Sequence, residues 1–265
     1  MHAKRIITGA TGLLFIVLTM ECGMVFVFSI FIAATSLIAL YEYNTIAFNE
    51  SEFTPLPAIS YPIALALIYG IYIKNMQLVL FIIIFNLFIS AFTSLFGYNK
   101  DNKLDNAVIK QVFGLIYIPL FLSFAILIRS ADNGAAWIYL LLAVVFAGDT
   151  GAFYVGSYLG RNKLAPLVSP NKTIEGSIAG LISGVCAGFL IRYLLLPDIS
   201  WQRCLIFCIV IGIAGQIGDL FESTLKRSAG VKDSGNILPG HGGVLDRIDA
   251  LLFASPFAYF TIKFF

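Results

Sequence analysis

The chain has 265 residues, 59% of them hydrophobic and only 12% charged, with a formal net charge of +2. A soluble domain carries roughly 25% charged residues, so this composition excludes an ordinary soluble protein. The near-neutral balance also excludes a nucleic-acid partner held by bulk charge.

In chain order, the apolar runs predict about nine spans, each needing about 20 residues or fewer if short: roughly 6–20, 24–47, 58–73, 76–97, 110–128, 136–158, 174–195, 203–222 and 250–264. Lys4 and Arg5 precede the first run as in a signal peptide. That run passes through Glu21-Cys22-Gly23 into the second with no small-x-small cleavage site, so it reads as a retained helix. Pro55, Pro57 and Pro62 crowd the entry to the third span. Residues 42–55 read as an acidic connector with Glu42, Glu50 and Glu52, and 98–109 as a polar loop; neither is assigned chemistry. Cys22, Cys186, Cys204 and Cys208 lie in or beside apolar runs without Cys-x-x-Cys spacing, and read as small buried helix residues.

The expected fold is therefore all-α and polytopic, a single transmembrane domain over 1–265. The spans before about residue 135 act mainly as scaffold, and 136–265 carry the active site. With a cytoplasmic N-terminus, the inside segments hold twelve of the 17 basic residues: Lys4, Arg5, Lys100, Lys103, Lys110, Arg161, Lys163, Lys172, Lys226, Arg227, Lys232 and Arg247. The outside segments hold Lys74, Arg129, Arg192, Arg203 and Lys263. Basic residues favour the inside, so the N-terminus is expected inside and the C-terminus outside. Segments 159–173 and 223–249 then share the cytoplasmic face.

Segment 223–249 is the densest charge cluster, with Lys226, Arg227, Lys232, Asp233, His241, Asp246, Arg247 and Asp249 between two apolar runs. Charges are costly near a bilayer, so such a cluster points to function. Just before it, Asp219, Glu222, Ser223 and Lys226 stand at i, i+3, i+4 and i+7, one face of a helix. Glu222 and Lys226 can pair locally, whereas Asp219 has no partner on its own helix. Gly240, Gly242 and Gly243 permit a tight turn whose N–H groups can cradle phosphate. A helix is expected to start near Val244, placing Asp246 and Asp249 on one face near its N-terminus. Asp219, Asp246 and Asp249 together suit a hard cation such as Mg²⁺.

His241 stands alone, which argues against zinc. A metal ligand, a general base and a turn residue all remain open for it, with a phosphate or substrate contact preferred. Lys226, Arg227, Lys232 and Arg247 suit phosphate binding beside those acids. Upstream, Asp149 lies in the apolar sixth span between Gly148 and Gly151, where a carboxylate needs a cation, a donor or water. In S-P-N-K-T-I-E-G, Ser169 or Thr173 can cap the seventh helix, and Lys172 can complete a site with Asp149.

These motifs resemble the signature of the phosphatidate cytidylyltransferases, or CDP-diglyceride synthases. Ser223, Leu225, Lys226, Arg227, Lys232, Asp233, Pro239, His241, Gly242, Gly243, Val244, Asp246, Arg247 and Asp249 stand where that pattern asks. D-T-G-A-F (149–153) and S-P-N-K-T-I-E-G (169–176) look like its upstream motifs, with Asn171 where a second lysine is usual. The first 145 residues match only as short apolar spans.

The resemblance implies an inner-membrane homodimer that converts CTP and phosphatidate to CDP-diacylglycerol and pyrophosphate. It also implies Mg²⁺ or Mn²⁺, with a monovalent cation such as K⁺ as a second ion. The expected catalytic set is Lys226, Arg227, Arg247, His241, Asp233, Lys172 and Asp149. Ser223, Lys232, Gly242, Gly243, Ser169, Thr173 and Glu175 are expected on the substrate side, and Asp219, Asp246 and Asp249 at the metal. Competing readings are a CTP-dependent transferase acting on another lipid phosphate or lipid alcohol and, remotely, a cation-coupled transporter. The charge-poor first five spans and the lack of an inverted repeat speak against transport.

Overall fold

The computed structural model describes residues 17–21, 23–48, 55–96, 104–237 and 242–264. Its described elements are almost entirely helical: α1 (Val25–Ala47), α2 (Leu56–Tyr72), α3 (Met76–Phe96), α4 (Leu104–Leu115), a π-helical turn (Ile116–Leu120), α5 (Phe121–Arg129), α6 (Gly134–Leu159), α7 (Ile174–Leu195), α8 (Trp201–Ser228) and α9 (Leu245–Phe264). Among the described residues six helices are long and apolar enough to cross a membrane, and Leu56–Tyr72 is a shorter apolar helix. The first expected span falls mostly outside the described residues.

Three departures from the sequence expectation have local causes. Strands β1 (Lys163–Ala165) and β2 (Ser169–Thr173) form an antiparallel hairpin in a chain expected to be all-α. The segment is too short and polar to span, and pairing satisfies its backbone groups. The polar stretch 98–109 is not all loop, because α4 begins at Leu104. The helix then continues past Pro119 through a π turn, a widened geometry that accommodates a residue lacking an N–H. Finally, α8 runs to Ser228, beyond the expected end at 222. Its 28 residues span roughly 42 Å, longer than a hydrocarbon core of about 30 Å, so its charged last turns lie near or beyond one end of the span.

The chain divides into two compact units: Met1–Leu127 with Asp233–Arg247, and Ile128–Lys232 with Ile248–Phe265. The first is built on Leu40, Leu56, Leu67, Ile71, Leu115, Tyr117 and Ile118, all fully buried. Its helices also share polar clasps. Gln111 Nε2 donates to Asn86 Oδ1 at 2.8 Å, and Ser90 Oγ donates to Gln111 Oε1 at 2.8 Å, linking α3 to α4. Inter-helix hydrogen bonds of this kind hold helices together where lipid removes the hydrophobic contrast. Glu42 belongs to α1 and is buried, so it is no connector residue.

The second unit packs Leu140, Leu141 and Val144 of α6, Cys204, Phe207, Cys208 and Ile211 of α8, and Leu252, Ala254 and Ala258 of α9. Cys186 is exposed on α7, contrary to its expected burial; Cys204 and Cys208 are buried, and all three are free thiols. Helices α6 and α7 approach closely: a Cβ on Gly180 would stand 2.8 Å from the Gly148 carbonyl oxygen. Small residues allow this backbone contact, and it holds the residue before Asp149 against Gly180 of α7.

Candidate active site

The second unit gathers charge where α6, the hairpin, α8 and α9 meet. Asp219, without a partner on its own helix, forms an ion pair with Lys172 of β2 at 2.6 Å. Both side chains are about a third exposed, at 32% and 29%, so the pair is reached by solvent. Glu222 is buried and pairs with Lys226 at 2.6 Å, one turn along α8. Helix α9 crosses α8 tightly here, because a Cβ on Gly218 would lie 2.7 Å from the Asp249 carbonyl oxygen. Asp249 thereby comes within coulombic range of Asp219, Glu222 and Asp149. Asp149, exposed on α6, is in range of Asp219 and Lys172.

The hairpin is held in place by the residues around Lys172. Thr173 caps α7, its Oγ1 accepting from Gly176 N at 3.1 Å. Ser169, the other candidate cap, sits instead at the start of β2, opposite Ala165. The Glu175 carboxylate accepts from Arg161 N at 3.1 Å, from Asn162 N at 3.2 Å and from Asn162 Nδ2 at 2.8 Å, tying the hairpin's base to α7. In this structure Glu175 acts as a brace. Arg227 donates from Nε to the Val168 carbonyl and from Nη1 to the Val231 carbonyl, both at 3.3 Å, so it spans the hairpin loop and the turn after α8. Ser223 is half-buried on α8, and Lys232 is exposed.

Gln216 and Ser177 went unmarked in the sequence. Gln216 Nε2 donates to the Ser177 carbonyl at 2.9 Å, and Ser177 Oγ donates back to Gln216 Oε1. This bracket joins α7 to α8 just before Asp219. The available signal was a glutamine three residues before an aspartate within an apolar run.

The signature turn is organised within the first unit. The Asp246 carboxylate accepts from Ser234 N at 3.0 Å and from Gly243 N at 2.8 Å. Gly242 adopts φ +79, in the left-handed region, and a Cβ there would stand 2.7 Å from Asp246 Oδ2. Glycine therefore answers both the conformation and the close approach. Asp233 and Arg247 are exposed, and His241 lies outside the described residues. Glu42 of α1 accepts from Val244 N at 3.0 Å and from Leu245 N at 2.8 Å, capping the start of α9 from another helix. In the sequence Glu42 reads as part of an acidic connector without chemistry, although the apolar run 24–47 already encloses it.

Among the described residues no three His, Cys, Asp or Glu side chains already stand in a metal-holding group. The donor chemistry of the second unit nonetheless fits a hard cation. Asp149, Asp219, Glu222 and Asp249 lie within coulombic range of one another in part, with Lys172 paired to Asp219 and Lys226 to Glu222. A surplus of carboxylate oxygens at a semi-exposed site suits a divalent ion that keeps positions for water and phosphate.

Several helices long enough to span, with mixed acids and bases grouped at the end of one of them, mark a polytopic membrane protein. A family model described as the Cytidylyltransferase family matches residues 3–265. The chain belongs to that family. A Thermotoga maritima protein named phosphatidate cytidylyltransferase is 37% identical over 242 residues, covering 88% of this chain and 86% of that protein. A Staphylococcus saprophyticus protein of the same name is 32% identical over 259 residues, with 95% of each covered. A Bacillus subtilis protein, also of that name, is 42% identical over 151 residues, and this match spans 57% of the chain and 56% of that protein.

Proposed function

We propose that this chain catalyses cytidylyl transfer from CTP to phosphatidate, giving CDP-diacylglycerol and pyrophosphate. The observation that carries the reading is the cluster of carboxylates and lysines at the end of apolar helix α8, in a chain that matches the Cytidylyltransferase family along its length. Phosphatidate keeps its acyl chains in the bilayer while CTP arrives from water. The site for joining them has to stand at the end of a span.

A phosphate oxygen of phosphatidate attacks the α-phosphorus of CTP. The new P–O bond forms as the bond to the α–β bridging oxygen breaks, and its electron pair leaves on pyrophosphate. The nucleophile is already an anion, so no strong base is needed. The difficulty is repulsion between two polyanions, which positioning and fixed charge relieve. Lys226, oriented by buried Glu222, and Arg227 would clamp phosphate oxygens, joined by Arg247 on the strength of the sequence signature. Lys172 would exchange Asp219 for the pyrophosphate or lipid phosphate.

A divalent cation such as Mg²⁺ would neutralise charge on the triphosphate when bound. Asp219 and Asp249 are proposed to hold it. The i, i+3 spacing in the sequence adds Asp246, and Asp149 would support a second cation such as K⁺. The apolar runs support nine spans, the distribution of basic residues supports a cytoplasmic N-terminus and site, and the family resemblance supports an inner-membrane location and a homodimer.

The test follows labelled CTP into the lipid phase, using purified protein in detergent–phosphatidate micelles with Mg²⁺. The expected result is a CDP-lipid product that disappears with EDTA. Folded protein that labels a different lipid phosphate but not phosphatidate would overturn the assigned acceptor.

A further inference from the structure

Glu42 is 1% exposed on an apolar helix. A carboxylate in such a place is costly unless it is well satisfied. Its carboxylate accepts hydrogen bonds from the signature region, about 200 residues away in sequence. Oε1 accepts from Val244 N at 3.0 Å; Oε2 accepts from Leu245 N at 2.8 Å and from Ser234 Oγ at 3.2 Å. Ser234 Oγ accepts in turn from Asp246 N at 3.3 Å, and Ser234 N donates to the Asp246 carboxylate. The first N–H groups of α9, normally left to a local cap, are thus met by an anion from α1 and by the serine it holds.

The glycines of the turn fit around the same carboxylate. A Cβ on Gly235 would stand 2.7 Å from Glu42 Oε1, and one on Gly243 would reach 2.5 Å from Glu42 Oε2 while overlapping Ser234 Oγ. Glu42 is therefore the post around which residues 234–235 and 243–246 are wrapped. A glutamine there would have one acceptor oxygen and would turn an NH₂ donor toward N–H and O–H donors.

We propose that Glu42 is a positioning residue of the transfer centre, setting the signature turn and the Asp246 carboxylate through Ser234 without touching substrate. The inference rests on the cytidylyl-transfer reading above. Misplacing a reacting group by about 1 Å can cost on the order of 100-fold in rate. The loss belongs in kcat, because the substrates' remote contacts are unchanged.

The experiment measures kcat and KM for CTP, per mole of protein that elutes as a folded species, in Glu42→Gln, Glu42→Asp, Ser234→Ala and Glu42→Gln/Ser234→Ala. Glu42→Gln is expected to lower kcat about 10- to 100-fold with KM for CTP within about threefold. Glu42→Asp should recover part of the loss, since it keeps the charge. The double variant should be little worse than the worse single one, because both act through one chain of contacts. A role in stability alone would lower the folded yield and leave kcat of the folded fraction unchanged; that result overturns the proposal, as does a fully additive double variant. If Glu42→Gln does not fold, wild-type kcat in both Glu42→Asp and Ser234→Ala overturns it, and a reduced kcat in both supports it. A folded wild-type protein that forms no CDP-lipid would count instead against the cytidylyl-transfer reading.

Discussion

A carboxylate at position 246 has two backbone N–H groups to satisfy, those of Ser234 and Gly243, whatever else it binds. Carboxylate oxygens have lone pairs to spare, so holding the turn and facing a cation are compatible. Asparagine keeps the shape and one acceptor oxygen but removes the charge. Asp246→Asn is therefore expected to fold and to lose on the order of 100-fold or more in turnover, the size seen when one preorganised electrostatic group is removed. The check is labelled CDP-lipid formation by protein with a wild-type elution profile; full activity would remove Asp246 from the transfer centre. Lys172 and Asp219 show a related economy. Each satisfies the other, and their partial exposure makes the pair weak enough to exchange partners, as the proposed role of Lys172 requires.

At the scale of elements, the site depends on helices that touch backbone to backbone. Gly176, Gly180, Gly184 and Gly188 form the buried stripe of α7, and Gly180 lies against the α6 carbonyl one residue before Asp149. A methyl group at 180 must push these helices apart. Gly180→Ala is expected to cost about 1–3 kcal/mol, the range for overpacking a tight interface, and to lower turnover in parallel as Asp149 shifts. Thermal unfolding of the solubilised protein, read beside the activity assay, measures both; an unchanged midpoint would mean the interface is looser than its geometry. The hairpin adds a second dependence, since Lys172 is aimed by strand pairing and by the Glu175 brace on the hairpin's base.

For the whole molecule, the distribution of basic residues supports the proposed orientation in the bilayer. Lys232, after α8, and Asp198, between α7 and α8, stand at opposite ends of α8 and are both exposed. In a background without native cysteines, Lys232→Cys is expected to react with a membrane-impermeant maleimide only from the cytoplasmic side, and Asp198→Cys only from the other. The reverse pattern would invert the proposed orientation and place the carboxylate cluster away from cytoplasmic CTP.

Hydrophobic run length and i, i+4 spacing act within a few turns of chain. The sequence by itself therefore determined the membrane class, the helix at 174–195, the Glu222–Lys226 pair, a cap from Thr173 or Ser169, and the charged turn before α9. The boundaries it missed reflect the same locality: apolar counting stopped at 222, while the helix continued on polar residues paired along its side. Only the tertiary structure decided that Asp219 meets Lys172, that Glu175 braces a hairpin and that Glu42 caps α9. Glu42 and Val244 are 202 residues apart. Nothing in the local pattern of either segment encodes the other, because the contact exists only once packing has brought their helices together and removed the water that would otherwise satisfy both.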